Sequence, residues 1–183
     1  MACLTIHGAG RHGHVVAATA RLLGFQDVTF TDDRDGTEPA AGAWCFIGIG
    51  DNAARKAHDR HCLAALVHPT AFVDKSAKLS PGVFIGPQAT VHIGASVGRG
   101  AIVNSGAIVE HDCAVGDWVH ISPGAVLCGN VTVGEGAWIG ANAVVKHGIS
   151  IAPWTVVGCG AVVVKDITEP GTYIGVPAHV LGG

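Results

Sequence analysis

The sequence predicts a small α/β module over residues 1–70, followed by a parallel β-helix over residues 71–183. Three observations carry this reading. An aliphatic residue recurs at every sixth position from Val73 to Val163. A glycine-rich turn, Gly8-Ala9-Gly10-Arg11-His12-Gly13, follows the first apolar run. The repeat, finally, starts directly after the module and runs without an inserted loop.

In the module, Cys3 to His7 reads as a strand running into the glycine turn, and His14 to Leu23 as a helix ending at Gly24. Val28 to Thr31 makes a second strand that leads into Asp32-Asp33, and Trp44 to Ile49 a third that ends at Gly50. A helix over Asn52–His61 and a short strand over Ala64–Val67 complete a β-α-β-β-α-β order, about half of a Rossmann-like sheet. Gly8, Gly10 and Gly13 match GxGxxG, with an acidic pair about 20 residues on, which is the dinucleotide fingerprint. Glycines admit the tight turn, and the helix amino terminus behind them favours an anion. One such half has no partner to hold a nicotinamide, so a nucleotide-linked substrate fits the size better than NAD.

In the repeat, all sixteen positions from Val73 to Val163 are Val, Ile or Leu. Four residues after each stands a small or β-branched residue, as at Ala77, Ala89, Ala95, Ala101, Cys113 and Val119. A helix needs apolar spacing near 3.6 and a lone strand needs alternation, so neither fits. Short strands joined by tight corners do fit, with three hexads per triangular coil and successive coils about 4.8 Å apart. Sixteen hexads make about five coils. Residues 18 apart then stack, which puts Ile93, His111, Gly129, His147 and Lys165 in one column, with His111 and Gly129 one rung apart.

Composition narrows the function. A net charge of −3 leaves no broad basic field for nucleic acid or an anionic membrane. No stretch approaches the roughly 20 apolar residues of a membrane span. MACLTIHGAG has no basic region before an apolar run, so no secretory signal is expected. Six scattered cysteines without a CxxC pair read as buried reduced thiols of a cytoplasmic protein.

The hexapeptide pattern resembles the left-handed parallel β-helix of hexapeptide acyltransferases, and the expected handedness comes from that resemblance. The junction of a short Rossmann-like domain with an uninterrupted repeat is similar to the bacterial UDP-4-amino-sugar N-acetyltransferases of the bacillosamine type, within the sialic-acid O-acetyltransferase group. The shared motifs are the His12-Gly13 turn, Asp32-Asp33, Phe46-Ile47-Gly48-Ile49-Gly50 and Val109-Glu110-His111-Asp112-Cys113. Val119-His120-Ile121-Ser122, Cys128-Gly129-Asn130-Val131 and Gly175-Val176-Pro177-Ala178 belong to the same set.

The resemblance implies transfer of an acetyl group from acetyl-CoA to a nucleotide-linked amino sugar by a homotrimer with sites between subunits and no metal. It implies that Gly10, Arg11, His12, Asp32, Asp33 and Gly50 hold the acceptor. His111 is then the general base, with Asp112 raising its basicity, and His120, Gly129, Ala141 and Cys159 contact acetyl-CoA. Arg11 stands where glycine is usual, Asp112 where glutamate is commoner, Cys159 where glycine is found and His179 where lysine often follows.

The chemistry agrees with that assignment. Acyl transfer to an amine needs a base for the departing proton and a donor for the developing oxyanion. A histidine beside a carboxylate suits the first, and the amide of Gly129 is a candidate for the second. Trp118 and Trp154, two coils apart, read as packing between subunits, while His7, His58, His61, His68, His92 and His147 receive no role. A γ-class carbonic anhydrase would need three convergent histidines with a close pair, and no pair among His92, His111, His120 and His147 is closer than nine residues. A hydroxyl acceptor, and a non-catalytic nucleotide-binding scaffold, are the remaining alternatives.

Overall fold

The structure, a computed structural model, describes residues 3–40, 44–59 and 65–182. Strand β1 (Cys3–His7) leads through the glycine turn into helix α1 (Arg11–Leu22). Strand β2 (Asp27–Thr31), a 3-10 turn (Asp33–Asp35), strand β3 (Cys45–Ile47) and helix α2 (Asn52–Ala57) follow. The three strands form a parallel sheet in the order β2-β1-β3. Val16, Ala17 and Ala20 of α1, spaced on one helical face, pack on Leu4, Ile6 and Phe46 of the sheet. Helix α1 begins at Arg11, inside the glycine turn and earlier than the turn residues suggest. Gly10 is its extended amino-terminal cap and offers no side-chain acceptor, so the first-turn amides are left for a ligand.

Strand β4 (Leu66–Val67) corrects the predicted topology. It does not complete the module's sheet; it pairs in parallel with Phe84–Ile85 as the first strand of the coil. The reason is visible in the sequence, because Val67 lies one six-residue step before Val73. The module is therefore a short three-stranded sheet with two helices, and the β-helix gains one strand, which brings it to nearly six coils. The end of the predicted second helix and Ala64 lie outside the described residues.

The left-handed parallel β-helix has three faces. The first runs from β4 through Phe84–Ile85, Ile102–Val103, His120–Ile121, Trp138–Ile139 and Val156–Val157 to Thr172–Ile174, where His179–Val180 adds an antiparallel edge. The second runs from Phe72–Val73 to Val162–Val163, and the third from Lys78–Leu79 to Ser150–Ile151. Parallel partners are 18 residues apart from Leu66 to Val163, as Ile102 with His120 and Ile108 with Val126. The spacing shortens to 16 only at the last coil, where Val156 pairs with Thr172. Both inward series fill the core: Ile85, Val91, Val103, Val109, Ile121 and Leu127, like Ala89, Ala95, Ala101 and Ala107, are fully buried. Each large aliphatic side chain removed from water contributes about 1.5–3 kcal/mol.

One backbone feature recurs with the same period. From residue 82 to 160, every sixth residue turns its corner in the left-handed region, and not all are glycine: Gln88, Asp112, Trp118, Asn130, Asn142 and Trp154 have φ between 56° and 59°. Such a conformation costs a non-glycine residue on the order of 1 kcal/mol, which the coil above and below imposes.

Module and coil share an apolar seam in which Leu4, Ile6 and Phe46 meet Leu66, Phe84 and Ile102. Trp118 belongs to this seam rather than to a subunit contact: it is 3% exposed and packs on Ile47 and Ile49. Arg55, fully buried, crosses the seam, its Nε donating to Gly100 O (2.7 Å) and its Nη2 to Trp118 O (2.9 Å). Among the described cysteines all are free, but only Cys45 and Cys113 are buried; Cys3 and Cys159 are exposed, contrary to the expectation of buried thiols. No described helix is long and apolar enough to cross a membrane.

Candidate active site

Three groups of residues stand out. The first is a cavity of about 490 Å³ at the carboxyl edge of the small sheet, lined by Gly10, Arg11, His12, Asp32, Asp33 and Gly50 together. All six acceptor candidates from the sequence therefore converge. The glycines have distinct duties: a Cβ on Gly48 would lie 2.7 Å from Gly13 Cα, so helix and strand need both bare, whereas a Cβ on Gly10 would meet nothing within 4 Å. The space over Gly10, at the positive end of α1, is open to an anion.

The two aspartates differ. Asp32 Oδ1 accepts from the backbone N–H (3.0 Å) and Nε (2.7 Å) of Arg34, and Oδ2 accepts from Ala9 N (2.8 Å) and Arg34 Nη2 (2.9 Å). The Arg34 guanidinium, then these amides, hold its carboxyl far below the usual carboxylate range. Its acceptor capacity is spent on tying the glycine turn to the end of β2. Asp33 is 61% exposed, with His7 Nε2 3.3 Å from Oδ1 and His58 Nε2 3.0 Å from Oδ2. Sequence reasoning missed both histidines. His7 had one signal, its place as the last residue of β1, where parallel sheets bind ligands; His58 had none.

The second group is the dyad. Asp112 Oδ2 lies 2.9 Å from His111 Nδ1, so the shorter acid in place of glutamate still reaches the ring. An ionised carboxylate only accepts, so Nδ1 carries the proton and Nε2 presents its lone pair. The ring lies over Gly129 on the next coil, where any Cβ would collide with it, and 6.2 Å from the ring of His147. The predicted column is thus realised, and half of the imidazole faces solvent.

The third group is an apolar groove of about 390 Å³ lined by His120, Ser122, Trp138, Ala141, Gly158 and Cys159. Three of the four acetyl-CoA candidates meet here, while Gly129 lies apart, under His111. His120 is buried, stacks on Trp138 (5.5 Å between centroids), and has Nε2 3.1 Å from Asn104 Nδ2. Since Asn104 Oδ1 accepts from Ser105 N at 2.8 Å, Nδ2 is the donor, His120 Nε2 accepts, and the proton sits on Nδ1. That Nδ1 and His12 Nε2 are buried with no hydrogen-bond partner among the described residues. Burial, then the charge of Arg55, lowers His12 to about 4 and His120 to about 3, so both rings are neutral at pH 7. Their centroids are 6.5 Å apart, which makes this pair the wall between cavity and groove.

Such a coil, carrying a histidine–carboxylate dyad and a separate apolar groove, defines an acyltransferase of the hexapeptide class. Residues 130–165 match the family model described as bacterial transferase hexapeptide (six repeats). Perosamine N-acetyltransferase from Caulobacter crescentus, solved with CoA and GDP-perosamine, is 33% identical with a TM-score of 0.88, over 100% of this chain and 98% of that one. The acetyltransferase domain of PglB from Neisseria gonorrhoeae is also 33% identical with a TM-score of 0.90, over 99% of this chain and 100% of that one. WeeI from Acinetobacter baumannii, at 24% identity and a TM-score of 0.90 over 99% of this chain and 100% of that one, shares the fold. The chain belongs to the bacterial hexapeptide transferases, and it is an acetyltransferase.

Proposed function

We propose that this enzyme transfers the acetyl group of acetyl-CoA to the amine, at C4, of a UDP- or GDP-linked amino-deoxy sugar. The observation that carries the reading is the His111–Asp112 pair, with Nδ1 engaged at 2.9 Å and Nε2 left as the base. The relatives support the substrate classes: the Caulobacter enzyme was solved with CoA and GDP-perosamine, including forms with one histidine replaced, and the PglB domain with acetyl coenzyme A.

In this mechanism the diphosphate lies over Gly10 and the amino end of α1, with Arg11 beside it, and Asp33 accepts from hydroxyl or base N–H groups. Acetyl-CoA lies in the groove along Ala141 and Cys159. The amine attacks the thioester carbon while His111 Nε2 takes its proton, and Asp112 stabilises the imidazolium that forms. The tetrahedral intermediate collapses with cleavage of the C–S bond, and the imidazolium returns the proton to the departing thiolate. The Gly129 amide, one rung from the base, is the candidate donor for the acyl oxygen, while His120, its Nδ1 buried, forms the wall of the groove.

His111 occupies a corner between the second and third faces, whereas Ala141 and Cys159 occupy the corner between the first and second. One chain cannot bring both to one acetyl group, so the working unit is a homotrimer in which the dyad of one copy faces the groove of the next. Thiol release is measured with acetyl-CoA and a panel of UDP- and GDP-linked 4-amino sugars. Release with one of them, lowered about 10²–10⁴-fold in kcat by His111→Ala with acetyl-CoA binding retained, is expected. Silence with the whole panel, or full activity in the variant, overturns the reading.

A further inference from the structure

The module contains a donor set of which the proposed acceptor site uses only Asp33. His7 Nε2, His58 Nε2 and an Asp33 carboxylate oxygen all lie within 4.8 Å of one another, the one such group among the described residues that could hold a metal ion. These residues are far apart in sequence, on the end of β1, the start of the 3-10 turn and the end of α2. Folding alone brings them together.

Their geometry suits an ion. A tetrahedral site with bonds of about 2.0–2.1 Å puts neighbouring ligand atoms about 3.3 Å apart. Asp33 Oδ1 stands 3.3 Å from His7 Nε2 and its other oxygen, Oδ2, 3.0 Å from His58 Nε2. The carboxylate thus spans the two rings, and an ion between them would take one oxygen or both. The rings converge at a tilt, with centroids 4.4 Å apart and an interplanar angle of 50°, rather than stacking face to face. His7 also has an outer-shell partner: its Nδ1 is 3.1 Å from Thr31 Oγ1, so Nδ1 can carry the proton and donate to the hydroxyl while Nε2 coordinates. Two neutral imidazoles and one carboxylate around a divalent ion leave a net charge of +1, at the rim of the cavity that His7 and Asp33 line.

We propose that His7, Asp33 and His58 form a binding site for a first-row divalent metal ion such as Zn²⁺, with an open coordination position toward the cavity. Mixed imidazole–carboxylate donors favour such ions over Mg²⁺ or Ca²⁺, which take all-oxygen shells. The proposal stands on this donor set alone and is independent of the acetyl-transfer reading.

The test uses the untagged full chain, stripped with chelator and titrated with Co²⁺ by visible absorption and with Zn²⁺ by calorimetry, in the absence of nucleotide and acetyl-CoA. One ion per chain is expected, with the ligand-field bands of four- or five-coordinate Co²⁺. His58→Gln, at a partly exposed position, abolishes the binding while circular dichroism stays unchanged. Thr31→Val, which removes only the outer-shell partner, weakens it about 10-fold. Absence of stoichiometric binding, or binding that survives His58→Gln, overturns the proposal and leaves a hydrogen-bonded carboxylate clamp. Metal binding is read without turnover, so its failure leaves the acetyltransferase assay untouched.

Discussion

The imidazole of His111 rests over the α-carbon of Gly129 on the next coil, and the absence of a side chain there is what lets the ring lie down. The atom that would be hit first is Nε2, the one that receives the proton in the proposed mechanism. Gly129→Ala is therefore expected to lift the ring without disturbing the coil, whose hydrogen bonds run through Asn130 N to His111 O (2.9 Å) and Gly148 N to Gly129 O (3.0 Å). Steady-state kinetics should show kcat reduced on the order of 10²-fold with the KM for acetyl-CoA nearly unchanged, since a small misplacement costs about that much.

Asp112 has two duties that substitutions can separate. Its backbone turns a corner at φ 58°, which asparagine tolerates and alanine does not. Asp112→Asn should keep the melting temperature while lowering kcat, because an amide cannot offer a negative charge to the imidazolium. Asp112→Ala should lower kcat as well and also lose on the order of 1 kcal/mol of stability, read by urea denaturation.

The neighbouring acids of the module should behave oppositely. Asp32 is saturated by Ala9 and Arg34, so Asp32→Asn is expected to lower the melting temperature by several degrees by loosening the glycine turn. Asp33→Asn should leave the melting temperature in place and raise the acceptor KM by about 10-fold or more, the usual loss for a hydrogen bond to a charged group. If Asp32→Asn changed only KM, its assignment as a structural tie would be wrong.

Acid should destabilise the fold through His12 and His120. Both have native values near 4 and 3, below the ordinary histidine value of 6.5, so between those limits the unfolded chain binds protons that the native chain refuses. Stability is then intact above about pH 6.5 and falls as pH drops toward 4, by up to about 1.4 kcal/mol per pH unit for each ring. Urea unfolding across that range should show the slope, and His120→Gln should remove about half of it.

The coil was legible because its physics is local and repeated. One aliphatic residue in six, with a small one four places on, defines the inside of every turn. Corners were less so. Gly94, Gly100 and Gly106 announce a bend, but Trp118 and Trp154 take the same left-handed conformation against their propensity, since the strands on either side are already fixed. The grouping of Gly10, Arg11, His12, Asp32, Asp33 and Gly50 came from the family resemblance, with the glycine turn and the acidic pair as its local signals. What each aspartate does depends on Arg34, a residue with no motif of its own. Strand β4 was misassigned because two residues carry no pairing partner in their own sequence. His7 and His58 escaped notice because only tertiary folding brings them to Asp33.

Arg55 gives the two halves a shared frame. Its guanidinium donates to Ile49 O (3.1 Å) and Gly50 O (2.9 Å) at the acceptor cavity and, in the other direction, to the coil corners at Gly100 and Trp118. The acceptor cavity and the apolar groove proposed for acetyl-CoA are accordingly tied together by one buried side chain. On the proposed function, that makes the protein a jig, in which the two reactants meet at a spacing machined in advance.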